Sequence, residues 1–208
     1  AKLPESITLI PEELFNQCSH LKAVNIPSSV KTIGDYAFNA CNSLQNITLL
    51  MGLQTIGTKA FKDCPITTIT IPASVTQIDA TAFEGCKKLA TVSLPATINY
   101  FNGSVFAGCN AIDTIIVDPA NQNFATFNNA LYTKDYSEIL YYPKALDGDM
   151  TKLHENLKKI GANVFQDNPN IKKVEFSENI VSIGAHAFDN CYNLSEVTFK
   201  AGGTALTI

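Results

Sequence analysis

The sequence predicts a β-rich solenoid of the α/β class, in which short, similar coils stack on one another. Three observations predict it. A phenylalanine recurs every 22 or 23 residues, pairs of mostly β-branched residues recur at the same interval, and apolar side chains fill fixed positions in each repeat. One such repeat is too short to enclose a core, whereas stacked repeats bury each other's open faces. The 208-residue chain therefore predicts about seven stacked repeats with a parallel sheet.

The recurring phenylalanine sets the repeat boundaries. The single long interval, from Phe106 to Phe165, equals one repeat plus a 36-residue insertion. We therefore expect one solenoid domain over residues 1–208, with repeats over 7–117 and 153–199 and an insertion over about 118–152. The seven positions are Phe15, Phe38, Phe61, Phe83, Phe106, Phe165 and Phe188.

A pair of apolar residues spaced by two follows each phenylalanine and predicts a β-strand in every repeat. Parallel stacking of these strands would give the main sheet, with the residues between and beside each pair facing outward. The pairs are Val24/Ile26, Ile47/Leu49, Ile69/Ile71, Val92/Leu94, Ile115/Val117, Val174/Phe176 and Val197/Phe199.

Residues that tolerate a positive φ stand four positions before the phenylalanine and predict a tight turn there. The stretch from the residue before the phenylalanine to the following cysteine predicts one short helical turn, too short to stand alone. The turn residues are Gly34, Gly57, Asp79, Asn102, Gly161 and Gly184, while the first repeat has Pro11.

The insertion carries four of the seven tyrosines. Strand-like residues flank a polar Lys-Asp-Tyr-Ser-Glu turn at 134–138, a pattern that predicts a β-hairpin. The tyrosines either pack against the solenoid or, where they are exposed together, form a binding patch. Residues 200–208 begin to depart from the repeat, as a further copy or a cap would.

Each of the six cysteines lies three residues after a repeat phenylalanine, and Asn168 takes this place in the sixth copy. Equivalent side chains in a ladder point the same way into one core. We therefore expect six free, buried thiols rather than three disulfides. The six are Cys18, Cys41, Cys64, Cys86, Cys109 and Cys191.

Composition argues against several functions. A formal net charge of −4 and scattered lysines predict no nucleic-acid partner, and the absence of a long apolar run predicts no membrane insertion. No catalytic, phosphate-binding or metal-binding motif is present, and the three histidines occupy different columns of different repeats. We expect neither an enzyme nor a cofactor, and exposed histidines at positions 20, 154 and 186.

Segments such as SVKTIGDYAFNACNSLQNITL and NIVSIGAHAFDNCYNLSEVTF resemble the BspA-type leucine-rich repeat family. The resemblance extends over about 85% of the chain. It implies a right-handed solenoid and a bacterial cell-surface or secreted protein, and inserts like this one are similar to others in the family. Several members are implicated in adhesion to host matrix proteins or to other cells.

Two regions are candidates for partner binding: the outward face of the main sheet, and the insertion. Extended solenoid faces commonly bind partners, although threonine also simply suits an exposed strand. The candidate residues are Thr48, Thr68, Thr70, Thr91, Ser93 and Thr114 on the sheet and Tyr132, Tyr136 and Tyr141 in the insertion.

The favoured function is a monomeric, non-enzymatic surface or secreted module for adhesion, which binds a protein of the host matrix or cell surface, or a glycan, through the solenoid face. The alternative is a structural spacer that displays another domain.

Overall fold

A computed structural model describes residues 2–199, in which the chain divides into two compact units, residues 1–121 and 122–208. The expected single domain over residues 1–208 stays a prediction. The predicted departure from the repeat at residues 200–208 lies outside the described residues.

The first unit contains two parallel sheets, one more than the repeat pattern predicts. A sheet of two-residue strands forms around the isoleucine five positions before each phenylalanine. Its strands are β1 (Leu9–Ile10), β2 (Thr32–Ile33), β3 (Thr55–Ile56) and β5 (Gln77–Ile78). The predicted main sheet consists of β4 (Thr68–Thr70), β6 (Thr91–Leu94) and β7 (Thr114–Val117).

The main sheet is shorter than predicted at its beginning. The pair Val24/Ile26 flanks only an isolated parallel bridge between Lys2 and Asn25, and Ile47/Leu49 forms no strand. From β4 onward the pairing is parallel and in register, with Thr68 opposite Thr91 and Thr91 opposite Thr114.

The second unit contains the insertion and the last two repeats. The predicted hairpin is present as two antiparallel strands, and a third strand precedes it. The strands are β8 (Phe124–Phe127), β9 (Ala130–Thr133), β10 (Glu138–Tyr141), β11 (Lys159–Ile160), β12 (Lys173–Phe176), β13 (Ser182–Ile183) and β14 (Glu196–Phe199).

The insertion provides a coil of its own. Strand β10 pairs in parallel with β11, and β11 with β13, so the hairpin and these two-residue strands form one sheet of the second unit. Tyr142 meets Phe165 at a tilt of 52°, with 5.2 Å between ring centroids, and thereby occupies the phenylalanine position of this coil.

The predicted helical turn is wrong for all repeats but one. Residues 2–199 contain no α-helix, hence none that could cross a membrane, and only two 3₁₀ turns, Gly103–Phe106 and Met150–Lys152. Elsewhere the arc around the phenylalanine alternates between two kinds of backbone bond. Ala37 N–H donates to Gly34 C=O within the coil, whereas Phe38 N–H donates to Ala60 C=O in the next coil. Every second amide thus holds neighbouring coils together.

Positive φ falls two residues before and two after the phenylalanine, not at the predicted turn column. Tyr36 and Ala40 have φ of 54° and 56°, and equivalent residues in most other repeats match them. Glycine is needed at the predicted turn positions for a different reason. A Cβ on Gly34 would lie 2.6 Å from Glu12 N, and one on Gly184 would lie 2.5 Å from Ala162 N. They are required by close approach of the preceding coil.

The phenylalanine column is the centre of the core. Rings of successive coils stack in parallel at 5.3–5.7 Å between centroids from Phe15 to Phe106, and Phe165 stacks on Phe188 at 4.9 Å. Phe61 of this column is fully buried, and so are Ile56 and Leu89 of the surrounding core. The apolar positions of each repeat therefore form the core, as predicted.

The cysteines form a second column. All six are free, and each buried thiol donates to the phenylalanine carbonyl of an earlier coil, as Cys64 Sγ does to Phe38 O at 3.0 Å. Hydrogen bonding with the neighbouring Cys41 thiol, together with burial, raises the pKa of Cys64. The expectation of burial is wrong for Cys18, which is exposed. Asn168, which replaces a cysteine, is fully buried and its Nδ2 has no partner within residues 2–199.

Phe83→Ala should lower the free energy of unfolding by about 3–5 kcal/mol, because the ring lies fully buried between two others. Phe15→Ala is the matched control, since Phe15 is only half-buried and stacks on one ring. Urea unfolding of both variants measures the difference. Equal losses for both would contradict a central role for the column.

In the native protein one thiol, that of Cys18, should react at once with a disulfide reagent at mildly alkaline pH, while five stay protected by burial. After denaturation without reductant, all six should react. Cys18→Ser should remove the fast reaction and leave five slow thiols. A count of four or fewer in denaturant would show disulfides and contradict the ladder.

Candidate partner-binding surfaces

Five of the six predicted sheet residues meet on one surface of the first unit. We call this surface the hydroxyl face, and its residues are Thr68, Thr70, Thr91, Ser93 and Thr114. Thr68, Thr91 and Thr114 lie opposite one another on β4, β6 and β7, and Thr70 lies opposite Ser93. Each residue is exposed or half-buried.

Side chains alternate between the two sides of each strand, and this alternation creates the hydroxyl face. Ile69, Val92 and Ile115 point inward and are buried, so their neighbours must point outward. Threonine suits such positions because its branched side chain packs well against cross-strand neighbours.

The hydroxyl face can donate and accept hydrogen bonds without charge. The Thr114 hydroxyl donates to Asp113 Oδ1 at 2.8 Å. Within residues 2–199, the hydroxyls of Thr68, Thr70, Thr91 and Ser93 have no protein partner. Ile116 beside Ser93 is 51% exposed and adds an apolar patch. Such a surface can bind polar groups of a protein or sugar hydroxyls.

Thr48 is separate from the hydroxyl face because its segment forms no strand. It lines a shallow cavity of about 420 Å³ with Ala23, Val24, Asn25, Ile26 and Leu50. Leu50 and the neighbouring Met51 are exposed, so this end of the first unit is more apolar than the hydroxyl face.

The insertion forms a compact antiparallel sheet. Asn128 and Asn129, with φ of 48° and 63°, join β8 to β9. Two positive φ values in a two-residue loop match the right-handed twist of a hairpin. Asp135 holds the β9–β10 turn, where hydrogen bonds from the hydroxyl of Thr133 and from Ser137 lower the pKa of its carboxyl to about 2.

Three tyrosines of the insertion differ in exposure. Tyr132 and Tyr141 are buried, so their rings pack within the second unit and are not available to a partner. Tyr136 is half-buried and stacks on His154 with 4.1 Å between ring centroids. Phe127 meets His154 edge-on at 4.8 Å. Only Tyr136 of the three can contribute to an exposed patch.

The histidines do not come together. His20 and His186 are exposed, as predicted, whereas His154 is half-buried in the aromatic cluster of the insertion. Among residues 2–199 no three His, Cys, Asp or Glu side chains are grouped so that they could hold a metal ion.

In-register coils, a parallel sheet and columns of identical side chains define a solenoid repeat protein. The family model of the BspA type leucine-rich repeat region matches residues 5–136 and 149–207, in six copies. The chain belongs to this family, as its repeat pattern predicts.

Three solved structures share the fold. A leucine-rich repeat protein from Eubacterium ventriosum is 22% identical with a TM-score of 0.80, over 97% of this chain and 60% of that one. The pneumococcal vaccine antigen PcpA is 24% identical with a TM-score of 0.70, over 85% of this chain and 50% of that one. A leucine-rich cell surface protein from Faecalibacterium prausnitzii is 21% identical with a TM-score of 0.57, over 96% of this chain and 69% of that one.

The chain spans half of the PcpA chain and three-fifths of the Eubacterium chain. No curated protein sequence matches it. At these identities the neighbours show the fold of the chain and do not identify its partners.

Tyr132 should ionise only at strongly alkaline pH in the folded protein, because burial raises its pKa to about 12. Its neutral hydroxyl contributes stability that is present below the ordinary pKa of about 10 and is lost as pH rises through about 12. Tyrosinate absorbance, recorded with circular dichroism, should show a late step that Tyr132→Phe reduces. Ionisation of all seven tyrosines near pH 10 in the folded state would contradict it.

Proposed function

We propose that the protein is a non-enzymatic interaction module of the bacterial cell surface or extracellular space, which binds a protein or glycan through the hydroxyl face. One observation carries the proposal: the register of β4, β6 and β7 places uncharged hydroxyls side by side on an exposed sheet. A flat array of this kind can hydrogen-bond an extended partner at several points at once.

Family membership supports a role in protein interaction, because stacked repeats present extended surfaces to partners. A surface location is supported by the fold neighbours, one named a cell surface protein and another a vaccine antigen. The partner we propose is a host matrix protein, a host cell-surface protein or a glycan, bound by a monomer in an adhesive role.

The second candidate is a structural spacer that displays another domain. It is favoured by the absence, within residues 2–199, of a tyrosine or tryptophan on the hydroxyl face, where binding hot spots usually carry such residues. The hydroxyl side chains of this face would then serve only strand packing and solubility.

A triple variant, Thr70→Glu, Thr91→Glu and Ser93→Glu, separates the two candidates. Wild-type protein is applied to arrays of immobilised matrix proteins and of glycans. Binding should fall by at least about tenfold in the variant. The three glutamates would be buried against the partner without opposite charges, and such charges weaken an interface. The control variant is Thr8→Glu, Gln54→Glu and Thr76→Glu, which adds the same charge at exposed positions outside the face.

Thermal unfolding of both variants checks that the fold is kept. Loss of binding in the face variant alone supports the proposal. Equal binding by both variants would place the contact elsewhere, and no binding of the wild type to either array would support the spacer.

A further inference from the structure

The first two coils of the first unit bring two cysteines, Cys18 and Cys41, next to each other. Strands β1 and β2 pair in parallel and in register. The register continues toward the cysteines, because Gln17 N–H donates to Asn39 C=O at 2.7 Å. Neighbouring strands lie about 4.8 Å apart, which falls within the range of about 4.4–6.8 Å between the Cα atoms of a disulfide. The spacing of the coils therefore permits a bond between the two residues.

One carbonyl oxygen is shared by both cysteines. Cys18 N–H donates to Phe15 O at 3.0 Å, and Cys41 Sγ donates to the same oxygen at 3.1 Å. The Cys41 sulfur therefore points toward the first coil and lies beside the backbone of Cys18. A bond between the two sulfurs requires a rotation of the Cys18 side chain and leaves the coils where they are.

The Cys18 side chain is free to rotate. It is exposed, and its thiol has no hydrogen-bond partner within residues 2–199. Each of the five buried thiols is instead bonded to a carbonyl, as Cys86 Sγ is to Phe61 O at 3.1 Å. Of the six cysteines, Cys18 alone combines exposure with a cysteine in the next coil.

The Cys41 thiol is suited to attack an oxidised neighbour. Hydrogen bonding with the Cys64 thiol lowers the pKa of Cys41, and a hydrogen bond with the Cys18 backbone acts in the same direction, although burial opposes them. The thiolate is the reactive form of a cysteine. Because Cys41 is fully buried, an oxidant in solution reaches Cys18 first.

We propose that Cys18 and Cys41 form an oxidative modification site, at which a hydroperoxide converts the two thiols into a disulfide between the first coil and the second. The Cys18 thiolate attacks the peroxide, the O–O bond breaks, and Cys18 becomes a sulfenic acid while one water is released. The Cys41 thiolate then attacks the Cys18 sulfur, the S–S bond forms, and the sulfenic oxygen leaves as a second water. Two thiols are thereby oxidised and one hydrogen peroxide is reduced to two waters.

The site is separate from the hydroxyl face and does not rest on the partner binding proposed above. The reduced protein keeps six free thiols, because the bond forms only when an oxidant is supplied. Oxidising compartments outside the cell favour such bonds.

The test treats the fully reduced 208-residue chain, at low micromolar concentration, with a small excess of hydrogen peroxide. Remaining thiols are then blocked in denaturant, and disulfides are mapped by mass spectrometry. We expect the count of free thiols to fall from six to four. One linked pair of peptides should contain Cys18 and Cys41 and weigh two hydrogen atoms less than its reduced parts, and the product should run as a monomer in non-reducing electrophoresis.

Three variants separate the steps. Cys18→Ser, at an exposed position, should abolish the link. Cys41→Ala should also abolish it and let the Cys18 sulfenic acid persist, so that trapping by dimedone rises at least about tenfold. Cys86→Ala is the matched control, because it removes a buried thiol of the same column outside the pair and should leave the link unchanged. Thermal unfolding checks the fold of each variant.

The main product of the wild-type chain decides the outcome. A dimer linked through two Cys18 residues, or a link from Cys18 to any cysteine other than Cys41, would overturn the proposal. So would oxidation of Cys18 to a sulfinic acid with all five other thiols still free.

Discussion

The structure depends on backbone hydrogen bonds between one coil and the next. They continue outside the strands, where Tyr36, Phe38 and Ala40 donate to carbonyls one repeat later. Because each coil must match its neighbour bond for bond, the repeat length scarcely varies and equivalent side chains lie above one another. The stacked phenylalanines and the cysteine column follow from this register. Each buried cysteine is suited to its place because a thiol is small, apolar enough to bury and still able to donate to a carbonyl.

The insertion shows how far this register can be interrupted. Within the second unit it pairs β10 with the two-residue strand β11 and places the Tyr142 ring against Phe165. It gives up the main-sheet strand, which the 3₁₀ turn Met150–Lys152 replaces. The core of the second unit is thus complete although one main-sheet strand does not form.

Periodicity was sufficient to predict the parallel sheet, the core columns, the free thiols and the neighbourhood of Thr68, Thr70, Thr91, Ser93 and Thr114, because all of these follow from equal repeat length. Local backbone conformation could be predicted less well from the sequence. A run such as Tyr36–Ala40 that alternates between left- and right-handed backbone has no compositional signal, since Tyr, Lys, Thr and His all occupy its positive-φ positions. Glycine at position 34 suggested a left-handed turn, although close approach of the previous coil explains it.

The insertion was the least predictable part for the same reason: it occurs once. The Asn128–Asn129 pair was the available signal for its first turn, and Tyr142, one repeat before Phe165, was the signal for its aromatic position. Burial of Tyr132 and Tyr141 could not be inferred from residue type, because a tyrosine suits a packed sheet and an exposed patch equally well. The 3₁₀ turn Met150–Lys152 could not be predicted because no repeat pattern covers the insertion.

The left-handed positions on either side of most repeat phenylalanines have a consequence for the surface. Their conformation is imposed by bonds from neighbouring coils, so residues as different as Tyr36, Lys59, Thr81 and His186 adopt the same backbone. Charge, size and aromaticity thus change there from one repeat to the next while the backbone keeps its course. The backbone of this stripe is therefore decoupled from its side chains, so that one scaffold can display a different surface at each repeat.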